Sequence, residues 1–167
     1  MVMINSMELI IPAVSENEPF ARDTVAAFCV RLNPSLDELS DVKTAVSEAV
    51  TNCIVHAYSD REGEIRIFCS AEGDTLHIRI SDSGKGIEDV ARAVEPFFTT
   101  LAEEERSGMG FTIMQTFMTT FRLESAPGAG TTVSMSKTFR SSNASAADYF
   151  DRSVQGGKSA RGGSDAR

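Results

Sequence analysis

The sequence predicts a two-layer α+β fold, in which a mixed and mostly antiparallel sheet carries helices on one face. Apolar and polar residues alternate along 65–69 and 76–80, as expected of strands with one buried face. Across 36–57, by contrast, apolar residues recur at helical spacing. The chain of 167 residues is long enough to bury a core without disulfides or metals. A single mixed sheet with helices on one face accounts for the order of these elements.

A short strand and two helices come first. Residues 7–12 form an apolar run typical of an edge strand that Pro12 ends. Residues 15–18 match the capping-box pattern, and we expect the helix after them to face inward along one side. This inward side consists of Phe20, Val25, Phe28 and Leu32. Residues 33–35 end that helix, and a second helix follows over about 36–57.

The remaining elements alternate between sheet and helix. Residues 72–74 join the two alternating strands as a hairpin. A short helix follows Gly86 and runs to about Val94, and a polar loop extends over 95–107. We expect Gly108 to open a third long helix whose inward residues are Phe111, Met114, Phe117 and Phe121. Two further strands, 122–125 and 131–139, are joined by a glycine-rich turn.

Composition and charge exclude several classes of function. The chain carries 24 acidic and 16 basic residues, for a net charge of −8, and most of the acid lies in residues 1–139. Such a body is a poor candidate for binding nucleic acid, whereas it suits a basic protein partner. No apolar stretch is long enough to span a membrane, and the first residues lack a secretion signal, so we expect a cytoplasmic protein. The three cysteines, Cys29, Cys53 and Cys69, fit buried free thiols in a reducing compartment.

The chain divides into one folded domain and a tail. Residues 141–167 are rich in Ser, Ala and Gly and almost free of large aliphatic side chains. Such a segment cannot bury enough apolar surface to offset its ordering entropy, which predicts a flexible tail. The folded domain spans 7–140, and residues 1–6 form an N-terminal extension.

The second helix carries the first candidate functional residues. Glu48 and Asn52 stack four residues apart on the side opposite the apolar stripe. Most such pairs lie on a solvated helix face. Here the neighbours Thr44, Thr51 and Val55 include no long charged side chain, which favours a functional surface.

The end of the second hairpin strand carries another candidate. Alternation along 76–82 places Asp82 on the same face as the apolar residues, where a carboxylate needs a partner. The chain then turns through Gly84, Gly86 and Ile87, where the two glycines permit close approach of the backbone to a ligand. An acidic acceptor beside an apolar surface and a glycine turn suits a purine base with an exocyclic amine.

A third signal is the run from Ser107 to Phe111, with glycines at 108 and 110, at the start of the third helix. Backbone amides at a helix N-terminus favour phosphate, and Arg106 adds a cation beside them. Taken alone, this pattern also fits a tight entry turn.

Together these three motifs resemble the GHKL ATP-binding superfamily, which includes DNA gyrases and histidine kinases and has the Bergerat fold. The finer resemblance is to the anti-sigma serine kinases, especially the anti-sigma F family of sporulation. It covers about residues 7–139 and is carried by four stretches, 17–28, 47–58, 96–100 and 105–114. Cys53 and Ala57 stand where the family has other small residues.

The resemblance implies a role for each motif. Glu48 would be the general base, and Asn52 would bind a magnesium ion that bridges the phosphates. Asp82 would bind the adenine amine. The other implied ATP-binding residues are Gly84, Gly86, Ile87, Thr99, Arg106, Ser107, Gly108, Met109, Gly110, Phe111 and Thr131.

The resemblance thus implies an ATP- and Mg²⁺-dependent protein serine kinase that phosphorylates an anti-sigma-factor antagonist. It also implies that a homodimer binds and inhibits a sigma factor of the sigma F type. Three alternatives stay open: a general-stress anti-sigma kinase, a nucleotide-gated binding module without transfer, and a different ATPase of the superfamily. We expect His56 to have a structural role, because we expect no dimerisation helix pair with a phosphoacceptor histidine before this domain.

Overall fold

The computed structural model describes residues 5–58, 61–95 and 109–139. In this part of the chain, five strands form one sheet: β1 Asn5–Pro12, β2 Glu64–Glu72, β3 Thr75–Asp82, β4 Thr120–Ser125 and β5 Thr131–Thr138. The α-helices are α1 Asn17–Cys29, α2 Leu36–Asn52, α3 Val90–Ala93 and α4 Gly110–Phe117. A 3₁₀ turn, Val30–Leu32, follows α1, and a π-helical turn, Cys53–Ala57, follows α2. None of the described helices is long and apolar enough to cross a membrane.

The structure confirms the predicted α+β class, and the sheet, which was predicted to be mixed and mostly antiparallel, is antiparallel throughout its described strands. Its strand order is β1-β2-β3-β5-β4, and each pairing among the described strands is antiparallel. The predicted hairpin joins β2 to β3 through Gly73, whose φ of 59° is readily adopted by glycine. Asp82, the last residue of β3, lies opposite Thr131 of β5. The register therefore brings the end of β3 next to the start of β5.

The core lies between the helices and one face of the sheet. The predicted stripe of α2 and its following turn is buried, as are the alternating apolar residues of β2 and β3. Full burial of each large aliphatic side chain contributes roughly 1.5–3 kcal/mol relative to exposure. The central members of this core are Val42, Val46, Ala49, Val50, Ile65, Ile67, Leu76, Ile78 and Ile80.

The capping box predicted at 15–18 is wrong, and a capping box occurs instead at the start of α2. Helix α1 begins at Asn17, and its N-cap residue Glu16 makes no side-chain cap. At α2, Ser35 Oγ accepts a bond from the Glu38 amide, and the Glu38 carboxylate accepts one from the Ser35 amide. A capping serine must have extended backbone, which Ser35 has, whereas Ser15 lies in a turn.

The inward side of α1 also differs from the prediction. Ala21, Val25 and Cys29, spaced four residues apart, are fully buried, whereas Phe20 is 54% exposed. Neighbouring positions on a helix differ by about 100°, so a stripe through Ala21 turns Phe20 away from the core. The helix ends at Cys29, earlier than predicted, and Asn33 with a φ of 53° closes the 3₁₀ turn that follows.

The third long helix is shorter than predicted. Helix α4 spans eight residues, and Phe121 belongs to β4, where its ring contacts Phe111 at 6.1 Å between centroids. The helix stops because the Thr119 amide donates to Ser136 O, which starts the pairing of this segment with β5. Lys137 Nζ donates to the carbonyl of Phe117, the last residue of α4, at 2.6 Å. Gly108, predicted to open the helix, lies outside the described residues.

Candidate nucleotide site

Three segments meet at the end of the sheet where β3 finishes. They are the last turn of α2 with the π-helical turn after it, the glycine turn after Asp82, and the start of α4. The π-helical turn is a deviation that often marks functional sites, because it changes the direction in which a helix presents its side chains. These are the segments that carry most of the predicted site residues.

The start of α4 lies directly against Glu48 and Asn52. A β-carbon at Gly110 would stand 3.0 Å from Oε2 of Glu48 and 3.5 Å from Nδ2 of Asn52. Both side chains are half-buried. The structure therefore brings the predicted helix pair and the predicted helix N-terminus together. Such a position combines carboxylate and amide oxygens with the positive end of a helix dipole.

Asp82 is half-buried at the end of β3 and accepts several hydrogen bonds. Its Oδ1 accepts from the amide of Gly84 at 2.8 Å and from that of Thr131 at 3.3 Å. The thiol of Cys53 lies close enough to this carboxylate to lower its pKa. Burial raises the pKa of the Asp82 carboxyl, and the bond from Gly84, the nearby Cys53 thiol and the bond from Thr131 oppose that rise.

Glycines of this region are required by the protein's own packing. A β-carbon at Gly84 would overlap the backbone oxygen of Ala57, and one at Gly130 would overlap that of Asp82. Gly86 has a φ of 73° and lies against the carbonyl of Ala126. These contacts place three chain segments side by side, so glycine is required at these positions whether or not a ligand binds.

Ser125 links the glycine turn to the start of β5. Its Oγ accepts a bond from the Ile87 amide at 2.9 Å and donates one to Gly130 O at 2.8 Å. It also lies 2.9 Å from Oγ1 of Thr131. No local sequence pattern indicates Ser125, because its three partners come from two other segments of the chain.

Tyr58 also supports the glycine turn that follows Asp82. Its hydroxyl accepts a bond from the Ser83 amide at 2.8 Å and donates one to Glu64 O at 2.8 Å. The guanidinium of Arg61 lies over the Tyr58 ring and donates to Ser83 O at 2.9 Å. These contacts fix the backbone that follows Asp82. Tyr58 and Cys53 were not predicted as site residues. The sequence signal that could have indicated them is their position a few residues after the Glu48–Asn52 pair.

Not all predicted site residues can be placed. Thr99, Arg106, Ser107 and Gly108 lie outside the described residues, as does the loop of which they form part. Met109 is the N-cap residue of α4, and Phe111 lies half-buried in its first turn.

The arrangement has two chemically distinct ends. At one end, Asp82 offers a carboxylate acceptor within a shell of backbone donors. At the other, the oxygens of Glu48 and Asn52 lie beside the N-terminus of α4. An elongated ligand with a hydrogen-bond donor at one end and an anionic group at the other matches this pair of ends.

Comparison with known proteins identifies the family. A histidine kinase-like ATPase domain matches residues 11–137. The chain is 54% identical over 133 residues to an anti-sigma F factor of Thermoanaerobacter sp. (strain X514), covering 80% of this chain and 93% of that protein. It is 48% identical over 143 residues to the anti-sigma F factor of Bacillus subtilis (strain 168), covering 85% and 98%, respectively.

A solved structure shares the fold at much lower identity. The crystal structure of the RsbU and RsbW domains of Rv1364c from Mycobacterium tuberculosis superposes with a TM-score of 0.60 at 15% identity. The match covers 81% of this chain and 32% of that one. By fold, by domain match and by identity over nearly the full length of its relatives, the chain belongs to the anti-sigma F factors, a family built on the histidine kinase-like ATPase domain.

Proposed function

We propose that this protein is an ATP-dependent serine kinase that phosphorylates an anti-sigma-factor antagonist and also binds and inhibits a sigma factor of the sigma F type. The observation that carries the proposal is the closeness of Gly110 to Glu48 and Asn52, since it brings a carboxylate and a side-chain amide to a helix N-terminus. The names of the relatives support the anti-sigma activity. We expect the protein to act in the cytoplasm as a homodimer.

The base of ATP would bind at the end defined by Asp82. The carboxylate would accept a hydrogen bond from the adenine amine, while Gly84, Gly86 and Ile87 line the ring. Thr131, which already donates its amide to Asp82, would place its hydroxyl nearby. A carboxylate held by several donors stays in one orientation, which favours a directional bond to the amine.

The phosphates would lie at the opposite end, against the start of α4. Its free amides and dipole favour anions, and Gly110 leaves room for close approach. We assign phosphate contacts to this helix start and to the residues that precede it. They are Thr99, Arg106, Ser107, Gly108, Met109, Gly110 and Phe111.

The residues at this end fit a magnesium ion. Mg²⁺ prefers hard oxygen ligands and is held in many phosphate sites by one or two protein groups. Asn52 offers an amide oxygen beside Gly110, and a β-carbon there would stand 3.7 Å from it. When bound, Mg²⁺ would neutralise part of the charge on the phosphate oxygens. Asn52 is the residue that we assign to hold it.

Glu48 would accept the proton in the transfer step. As the serine oxygen of the antagonist forms a bond to the γ-phosphorus, the bond from that phosphorus to the bridging oxygen of ADP breaks. The hydroxyl proton passes to the Glu48 carboxylate, which is not needed to hold the nucleotide. Positioning and charge stabilisation supply most of the acceleration in phosphoryl transfer, so the base is one contributor among several.

The acidic body supports a protein partner rather than a nucleic acid. The chain has a net charge of −8, which suits a basic segment of a sigma factor. A pull-down from the native cytosol, followed by identification of the captured sigma factor, tests this part of the proposal.

Labelled ATP tests the proposed activity. The protein is incubated with γ-labelled ATP, Mg²⁺ and a purified antagonist, and the label is located by mass spectrometry. Label on an antagonist serine is the expected result. Nucleotide binding without transfer would replace the kinase with a nucleotide-gated binding module. Release of free phosphate alone would indicate an ATPase.

A further inference from the structure

The hydroxyl network at Ser125 has a single possible arrangement of protons. A serine hydroxyl donates one hydrogen bond and accepts two. Ser125 Oγ lies 2.8 Å from Gly130 O, and a carbonyl oxygen can only accept, so the serine proton goes to Gly130. The Ile87 amide then donates to Ser125.

This arrangement fixes the direction of the remaining bond. Ser125 Oγ and Thr131 Oγ1 are 2.9 Å apart, and the only proton left for that contact is the threonine's. Thr131 therefore donates to Ser125. Its hydroxyl has no further proton, and its free lone pairs can only accept from a ligand.

Thr131 lies next to the proposed base site, so the fact that its hydroxyl can only accept affects which base is bound. Thr131 lies opposite Asp82 in the pairing of β3 with β5, and its amide donates to the Asp82 carboxylate. Both side chains at this end thus offer acceptors. A donor such as the 6-amine of adenine is favoured next to these two acceptors, whereas the oxygen of a 6-oxopurine at the same position would meet lone pairs.

We propose that Ser125 is a specificity-determining residue, which holds the Thr131 hydroxyl as an acceptor and so selects 6-aminopurine over 6-oxopurine nucleotides. The inference rests on the proposed function, because it assumes that the base binds at Asp82. Ser125 acts through Thr131 and is a positioning residue. Asp82 would bond to the base directly, whereas Ser125 orients the proton of the Thr131 hydroxyl.

The test compares ATP with inosine triphosphate, which carries an oxygen in place of the 6-amine. In the Ser125→Ala variant, the Thr131 hydroxyl loses its acceptor and can rotate to donate to that oxygen. We expect the ratio of the ATP affinity to the inosine triphosphate affinity, measured by calorimetry, to fall by about tenfold. This change corresponds to one hydrogen bond. Ser125→Thr keeps an oxygen at the same position and should keep the parent ratio.

A matched control comes from the same pair of strands. Thr120 and Ser136 also lie opposite each other in β4 and β5, and their hydroxyls are 2.6 Å apart. Thr120→Ala removes this hydroxyl pair at the far end of the strands and should leave the ratio unchanged. A general loosening of β4 would instead lower both affinities equally in both variants.

A double variant and the affinities of the parent protein complete the test. In a Thr131→Val background, Ser125→Ala should narrow the ratio no further, because the hydroxyl that it controls is absent. An unchanged ratio in a folded Ser125→Ala variant, or equal affinities in the parent protein, would overturn the role of Ser125 while leaving ATP binding in place. If the parent binds neither nucleotide, the proposed function itself fails. If Ser125→Ala does not fold, Thr131→Val alone is expected to lower the ratio of ATP affinity to inosine triphosphate affinity. An unchanged ratio in Thr131→Val would then refute the inference.

Discussion

Asp82 illustrates a conflict between stability and binding at a single residue. Burial raises the pKa of its carboxyl, so the folded state binds a proton more readily than the unfolded chain. Between the unfolded and the folded pKa, stability therefore falls as the pH rises. At neutral pH the charged carboxylate costs stability, although the proposed bond to the adenine amine requires it.

Asp82→Asn should separate the two effects. The amide retains an oxygen for the Gly84 and Thr131 amides but carries no charge, so we expect the melting temperature without nucleotide to be unchanged or higher. ATP affinity should fall by roughly 1–3 kcal/mol, because a charge-assisted acceptor is lost. Calorimetry at pH 7 measures the ATP affinity, and thermal unfolding at the same pH measures the melting temperature. Asp74→Asn, in the exposed hairpin, is the control, and unchanged ATP affinity in Asp82→Asn would refute the adenine assignment.

Glu48→Gln tests the proposed base. The amide keeps the size of the side chain but cannot accept the proton, so ATP binding should survive. The single-turnover rate of transfer from bound ATP should fall by about 10²–10⁴, the usual contribution of a positioned base. The control is Glu8→Gln, on the exposed side of β1. A rate within about threefold of the parent would remove Glu48 from this role, and loss of ATP binding would make it structural.

Elements differ in how far the sequence predicts them, and the reason is the range of the interactions that form them. Helix α2 and the β2–β3 hairpin follow from local periodicity, and both were predicted. The end of α4 depends on the Thr119 amide, which pairs with Ser136 from a distant strand. Likewise, the contacts that Cys53 and Ser125 make at the site form only in the folded chain, and no local pattern indicates them.

The two Ser-x-x-Glu patterns make a matched experiment at the scale of the helix. Ser35→Ala removes a bond that caps α2 and should lower the free energy of unfolding by about 1 kcal/mol. Ser15→Ala should have little effect, because α1 has no side-chain cap. Urea unfolding monitored by circular dichroism measures the difference. Equal effects of the two substitutions would contradict the assignment of the capping box.

At the scale of the whole molecule, the three cysteines report on global unfolding. Each is buried in the core, and burial raises the pKa of Cys29 to about 11 and that of Cys69 to about 12. Burial together with the nearby Asp82 raises the pKa of Cys53 well above its usual value. The thiolate is the reactive form, so all three should be inert in the folded protein near neutral pH.

Thiol labelling at pH 8 tests this expectation. A disulfide reagent should react with the native protein only as fast as it unfolds, and all three thiols should react at once in guanidinium. Because the folded state keeps these thiols protonated, stability should also decline above about pH 9, where the unfolded chain starts to lose its protons. Rapid labelling of one cysteine under native conditions would show a local opening instead.

The end of α2 joins two tasks across one peptide bond. Asn52 lies beside Gly110, while its neighbour Cys53 lies close enough to Asp82 for each group to shift the pKa of the other. Under the proposed function, the residue that holds Mg²⁺ at the phosphates and a residue that lies beside the adenine-binding carboxylate are thus consecutive in the chain. A base that displaces Asp82 would shift Cys53 and, with it, Asn52. The γ-phosphoryl group of an ill-fitting nucleotide would then be transferred slowly even when that nucleotide is fully bound, so base selection would act on the catalytic rate as well as on affinity.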